Sequence, residues 1–353
     1  MKSPSEIIQH DVEFILSKIS SLLLDLQDQH IFITGGTGFF GQWILDTLQA
    51  ANQSSQLGLE VTVLTRNLAN FTTYAGYLVS DPNFHFIEGD VRDFSFPDGH
   101  FPVIIHAATT RAEETFNNQD ALKKYDTVAQ GTRHLLDFAV KAKTKTILWT
   151  SSGAIYGAQP AHLESIPESY TGCPDPMNYE ASALGLGKLS AEYLCSYYGN
   201  KHNIDIKIAR CFSFVGPRMQ MDIHYAVGNF ISDIVNDQDI IIRGDGKPLR
   251  SFMYISDLII WLFTILCKGK SLYPYNVGSD EAVSIAELAH TVARAGNHNT
   301  DVRILQPDSG DHVNRYLPNV SRAKKELGLA CFTNLEKSVQ KTINYESSRK
   351  KSW

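Results

Sequence analysis

The run HIFITGGTGFFGQWILDTL, residues 30–48, constrains the fold of this chain more than any other stretch. A short β-branched, apolar segment passes within a few residues into a helical pattern, and the join carries glycines at 35, 38 and 41. Glycines at that spacing permit a tight turn, close approach of backbone to a pyrophosphate, and tight packing of helix on strand. The helix start then presents N–H groups and the positive end of the helix dipole to an anion. Because a strand precedes the glycines and an apolar helix follows them, the run reads as a dinucleotide phosphate loop. Its cofactor-facing residues are Gly35, Thr37, Gly38, Phe39, Phe40 and Gly41.

From residue 30 onward, β-rich runs alternate with amphipathic stretches. HIFIT, EVTVLTR, FHFIEGD, PVIIHAA, KTILWTSS and DIKIARC are the strands, and QGTRHLLDFAVKAK is one of the intervening helices. That alternation predicts a parallel sheet covered on both faces, a doubly wound α/β fold of Rossmann type. After VGPR, residues 215–218, the rhythm breaks into polar, irregular segments and isolated helices. The expected organisation is an N-terminal helical extension over 1–27, a dinucleotide-binding domain over 28–216, and a smaller substrate lobe over 217–353. Segments of that lobe return to the sheet. In the extension, Ile7, Ile8, Val12, Ile15 and Leu16 share one face of an amphipathic helix.

A net charge of −6 gives no reason to expect nucleic acid or an anionic membrane as partner. No apolar run approaches the ~20 residues needed to span a bilayer, and the N-terminus lacks a cleavable signal pattern. The five cysteines have no metal-ligand spacing, so reduced, mostly buried thiols in a cytoplasmic protein, without a metal, are expected.

The second strand of a Rossmann fold usually ends in an acid that holds the adenosine ribose of NAD. Here it ends in Thr65 and Arg66. A guanidinium at that place suits a 2′-phosphate, which favours NADP over NAD; the alternative is an arginine solvated beyond the strand. Asp90, at the end of the third strand, stands where its carboxylate or the neighbouring backbone meets an adenine amino group.

TGGTGFFG, GDVRD, HAA at 106–108, SSGAIYG, GKLSAE, ARCFSFVGP, RGDGKPLRSFMYISD, YNVGS and RYLPNVSRAKKELG occur in that order. In these motifs, from residue 30 to about 330, the chain resembles the extended short-chain dehydrogenase/reductase family. The likeness is to its NAD(P)-dependent nucleotide-sugar epimerases and dehydratases. It implies that Val91, Ala107 and Ala108 join the phosphate loop around the cofactor. It implies that Ser152 hydrogen-bonds a sugar oxygen, and that Lys188 holds the nicotinamide ribose and lowers the pKa of a tyrosine. Arg250 and Arg315 match arginines that grip a nucleotide diphosphate, and Asn229 matches an amide donor to it. Ser213 stands where many relatives have asparagine, which implies an altered sugar pocket. A nucleotide-diphosphate sugar is the implied substrate. A homodimer formed through the Lys188 helix and the QGTRHLLDFAVKA helix is the implied assembly.

The chain departs from that pattern at Leu184, one helical turn before Lys188, where the family places its tyrosine. An alcohol is oxidised only if its hydroxyl proton leaves, and leucine accepts none. Tyr179 is the nearest upstream tyrosine. Nine residues of continuous helix, about 13.5 Å and half a turn, would point it away, so it serves only from a loop before the helix. Gly153 and Ala154 follow Ser152 where dehydratases with an acidic triplet carry acids, leaving Glu113 and Glu114 as acids from another loop or as helix-start residues. Two readings stay open. One is an enzyme that transiently moves hydride at a sugar carbon, with epimerisation or keto-reduction ahead of 4,6-dehydration. The other is a weakly active or inactive cofactor-binding sensor or partner protein.

Overall fold

The computed structural model describes residues 2–110, 120–221, 225–296, 300–306, 310 and 313–351. Its centre is a seven-stranded sheet. Strands β1 (His30–Thr34), β2 (Glu60–Thr65), β3 (Phe84–Glu88), β4 (Val103–His106), β5 (Thr146–Ser152) and β6 (Asp205–Cys211) are those legible in the sequence. The seventh, Tyr275–Val277, lies in the YNVGS segment and returns to pair with β6. The spatial order is Tyr275–Val277, β6, β5, β4, β1, β2, β3, with every neighbouring pair parallel. This is the doubly wound Rossmann sheet that the alternating apolar strands require.

Side chains alternate across each strand, and the two faces feed different cores. Ile31 and Ile33 of β1 pack with helices α1 (Pro4–Leu23) and α2 (Phe39–Ser55) and with the Ile255–Lys268 helix. Phe32 between them enters the opposite core, against the Ala121–Lys141 and Tyr179–His202 helices. A third core joins the Ala226–Val235, Ile285–Ala295 and Leu335–Lys351 helices to Ile240 and Ile242.

The N-terminal extension is a helix opened by a Ser3–Glu6 capping box with proline in its first turn. Ile7, Ile8, Val12, Ile15, Ile19 and Leu23 are buried, while Leu16 is only partly covered. Burial of one aliphatic side chain is worth about 1.5–3 kcal/mol, so this helix is an integral cover for the first face. It does not lie over the Ala121–Lys141 and Tyr179–His202 pair. Asp11, on the buried stripe, accepts hydrogen bonds from Tyr254 and Lys341. No disulfide forms among the five cysteines; Cys195 and Cys211 are buried and Cys173 is exposed. Among the described residues no helix is long and apolar enough to cross a membrane.

Candidate functional site

Strand order reverses between β1 and β4, and at such a switch point the carboxyl ends of the strands open a crevice. A cavity of about 900 Å³ occupies it. The phosphate loop leaves β1 at the cavity wall with Gly35 at φ +74°, a conformation glycine adopts without penalty. A Cβ on Gly35 would fall 2.5 Å from the backbone of Ala107 and Ala108, and one on Gly41 would fall 2.1 Å from the Gly35 carbonyl oxygen. Gly38 is the N-cap of α2 and brings no side chain to cover the N-terminus of that helix. Thr37, Phe39, Phe40, Ala107 and Ala108 line the same wall. A bare-backbone cradle at a helix N-terminus fits a dinucleotide pyrophosphate.

At one end of the cavity lie Arg66, Asp90 and Val91, with Asn67, Asn70 and Tyr74. Arg66 is exposed, and Thr65 before it is buried. The Asp90 carboxylate is held by the Arg92 guanidinium at 2.9 and 3.0 Å and by the Arg92 backbone N–H at 3.0 Å. Hydrogen bonds from Arg92 keep its pKa below the usual carboxylate value. That carboxylate is committed to a neighbour, and the Asp90 carbonyl accepts from the Asp93 and Phe94 N–H groups at 3.1 and 2.8 Å.

The other end is built by β5 and the Tyr179–His202 helix. Gly185 and Gly187 let this helix pack closely: a Cβ on Gly185 would fall 2.6 Å from the Ala154 carbonyl oxygen. Lys188 is therefore buried, 4% exposed, yet still on the cavity wall. Its ammonium donates to the Thr150 carbonyl at 2.6 Å and lies 4.9 Å from the Trp149 ring centroid. Burial pushes its pKa down to about 8. Leu184 lines the cavity one turn earlier, with Ser152 and Ser213. The Ser152 hydroxyl accepts from the Ala154 N–H at 3.1 Å.

Three sequence expectations fail to meet the cavity. Tyr179 is the first residue of its helix, after the Asn178 cap; it is 67% exposed and donates to Glu180 at 3.0 Å. With helix running unbroken from Tyr179 to Lys188, the intervening turns aim its phenol away from Lys188. Arg315 donates to the Ala161 carbonyl at 3.3 Å and is not on the cavity wall. Strand alternation explains this, because its neighbour Tyr316 takes the face toward Ser152. Asn229 sits behind Ala226 and Val227, which do line the cavity, and among the described residues its Oδ1 is buried without a partner. Glu113 and Glu114 lie outside the described residues.

Arg250 does reach the cavity wall, half-buried, donating to the Leu249 carbonyl at 2.8 Å. It stands in register with Tyr316 on a parallel pair of two-residue strands, Leu249–Arg250 and Arg315–Tyr316. Sequence reading alone passes over Tyr316. The only signal for it is alternation with Arg315, and alternation does not say which of the two residues faces inward.

A phosphate cradle at the switch point of a Rossmann sheet, with serine, lysine and arginine on one cavity wall, defines a dinucleotide-binding α/β protein. Residues 31–278 match the family described as NAD dependent epimerase/dehydratase, and the chain belongs to that family. It is 30% identical over 307 residues to UDP-glucuronic acid decarboxylase 3 of Arabidopsis thaliana, covering 85% of this chain and 84% of the relative. UDP-glucose 4-epimerase of Thermotoga maritima, solved with UDP-glucose, has a TM-score of 0.76 at 21% identity. The match covers 92% of this chain and all of that one. UDP-glucuronic acid 4-epimerase of Bacillus cereus, solved with NAD, has a TM-score of 0.74 at 22% identity, over 90% and 96% of the two chains. These two structures share the fold.

Proposed function

We propose that this chain is a nucleotide-sugar enzyme that transiently exchanges hydride between a sugar carbon and a bound nicotinamide dinucleotide, with epimerisation or keto-reduction ahead of 4,6-dehydration. The observation that carries this reading is one cavity that joins the Gly35–Gly41 cradle, Ser152, Lys188 and Arg250. When bound, the nicotinamide supplies or accepts two electrons and a hydrogen at the sugar carbon. The chain's own residues then divide the remaining work. The glycine cradle and α2 hold the pyrophosphate, Lys188 orients the nicotinamide ribose, and Ser152 donates to a sugar oxygen. Arg250, from the lobe over 217–353, takes the nucleotide diphosphate of the substrate. Names of relatives, UDP-glucuronic acid decarboxylase among them, support a UDP-linked sugar.

NADP is the favoured cofactor because β2 ends in Thr65 and an exposed Arg66 on the cavity wall, with no carboxylate for a ribose hydroxyl. A homodimer through the Ala121–Lys141 and Tyr179–His202 helices is the assembly proposed, with a cytoplasmic location. A second reading, a cofactor-binding sensor or partner protein, draws on Leu184 in the tyrosine's place. Arg250 on the cavity wall speaks against it, since a dinucleotide sensor has no need of a second diphosphate site. Mass spectrometry of the nucleotides released from purified protein tests the choice. A sugar nucleotide beside the dinucleotide supports the enzyme, and the dinucleotide alone, with no UDP or dTDP binding in titration, supports the sensor.

A further inference from the structure

The Leu184 substitution leaves the proposed reaction without a proton-transfer group on the Lys188 helix, but a phenol stands directly behind the part of the cavity wall formed by Ser152, Phe212 and Arg250. The Tyr316 phenol faces the Ser152 side chain. Its ring lies 4.7 Å from that of Phe212, itself on the cavity wall. A Cβ on Gly153 would fall 2.7 Å from the Tyr316 hydroxyl oxygen, so the absence of a side chain after Ser152 is what admits the phenol. The pairing of Arg315–Tyr316 with Leu249–Arg250 sets it on the strand face that also carries Arg250.

We infer that Tyr316 is the proton-transfer residue of this site, replacing from the C-terminal lobe the tyrosine that Leu184 has removed from the helix. The inference rests on the hydride-transfer reading above and gives it a direction. Burial raises the phenol above its ordinary value of 10, and the Lys188 ammonium is engaged by the Thr150 carbonyl. A phenol kept protonated is an acid, so the site suits reduction of a keto-sugar nucleotide better than oxidation of an alcohol. In that step the carbonyl carbon takes a hydride from a reduced nicotinamide and the carbonyl oxygen takes the Tyr316 proton. The C=O bond becomes CH–OH, the dinucleotide is left oxidised, and the phenolate recovers its proton from water. A reaction that generates a keto-sugar nucleotide, by dehydration or oxidation, must supply the substrate.

The test has one arm without cofactor. Protein carrying ¹³Cζ-tyrosine is titrated with UDP, UDP-glucose and dTDP-4-keto-6-deoxyglucose, the Tyr316 resonance being the one lost in Tyr316→Phe or, should that variant not fold, in Tyr316→Leu. The resonance should shift with a sugar nucleotide and stay still with UDP. A resonance indifferent to every sugar nucleotide that binds overturns the inference. In the second arm NADPH is present and reduction of dTDP-4-keto-6-deoxyglucose is followed. Tyr316→Phe should lose about 10²–10⁴-fold in rate at unchanged UDP affinity, and Leu184→Tyr added to it should restore at least about tenfold, by returning a phenol to the turn before Lys188. Reduction that survives Tyr316→Phe overturns the inference and leaves the proposed function standing. A wild type that binds the sugar nucleotides but moves no hydride overturns both.

Discussion

Arg250 and Tyr316 face each other in register across two parallel strands of two residues each. A ribbon this short makes few bonds of its own, yet it sets a guanidinium on the cavity wall and a phenol against Ser152. Arg315, the next residue along, is turned to the Ala161 carbonyl instead. The two arginines therefore separate in a binding experiment. Arg250→Ala should weaken UDP by about 1.5–3 kcal/mol, the range for hydrogen bonds to a charged group, while Arg315→Ala changes it little. Isothermal titration with UDP checks both, and equal losses would return Arg315 to the site.

Cofactor choice turns on Arg66. Loss of its guanidinium should weaken NADPH by about 1.5–3 kcal/mol through the missing charge-assisted hydrogen bonds, with NADH nearly unaffected. Fluorescence titration of Arg66→Ala and wild type with both reduced cofactors measures this. A wild type that prefers NADH would reassign Arg66 to the surface.

Lys188 is buried at a cost. Its pKa is about 8 in the fold against an ordinary 10.5, so below pH 8 the native state carries a desolvated ammonium. The penalty is fully present below pH 8 and is relieved as pH rises from 8 to 10.5, where the unfolded chain still holds a proton that the native state has released. A shift of this size corresponds to about 3 kcal/mol, against about 1.5–3 kcal/mol for a hydrogen bond made by a charged group such as the one to Thr150. Lys188→Met should accordingly stabilise the apoprotein at pH 7, less so at pH 10, while weakening the dinucleotide. Urea denaturation at the two pH values and a cofactor titration give the three readings.

His106 governs the acid side. Its ring nitrogens lie 2.5 Å from the Thr34 hydroxyl and 3.2 Å from that of Thr132. Burial, aided by the Lys188 charge, lowers its pKa to about 3 from 6.5. Between those values the unfolded chain binds a proton that the native state refuses, so stability falls as pH drops from 6.5 towards 3, by up to about 1.4 kcal/mol per pH unit. In His106→Gln that contribution to the slope should vanish. Parallel urea melts of both proteins at pH 7 and pH 5 make the comparison.

The sheet was legible because its evidence is local and repeated. Six apolar strands, each followed by a turn or helix signal, leave few topologies open, and the glycines of the phosphate loop mark the first crossover. Lys188 was legible through its motif, although motif alone does not distinguish a buried ammonium from a solvated one. That depends on Gly185, which lets the helix approach the turn at Ala154 after β5, and on Gly187, which lets it approach the Ala121–Lys141 helix. Residues outside the parallel core were harder to place. The turning of Arg315 to Ala161 and of Tyr316 toward Gly153 depends on how a two-residue strand is rotated against its partner, which neither propensity nor periodicity records over so short a span. Tyr179 could be excluded only once Asn178 was seen to cap the helix, since a start one turn later would have left it in a loop.

Gly153 and Tyr316 constrain each other's choice of residue. A methyl on residue 153 would meet the Tyr316 hydroxyl oxygen at 2.7 Å and the Phe212 ring at a similar distance, so a side chain at 153 and a phenol at 316 share the site only if the two rings give way. A substitution at 153 is therefore a substitution in the aromatic pair as well, its first effect falling on the packing of Tyr316 against Phe212.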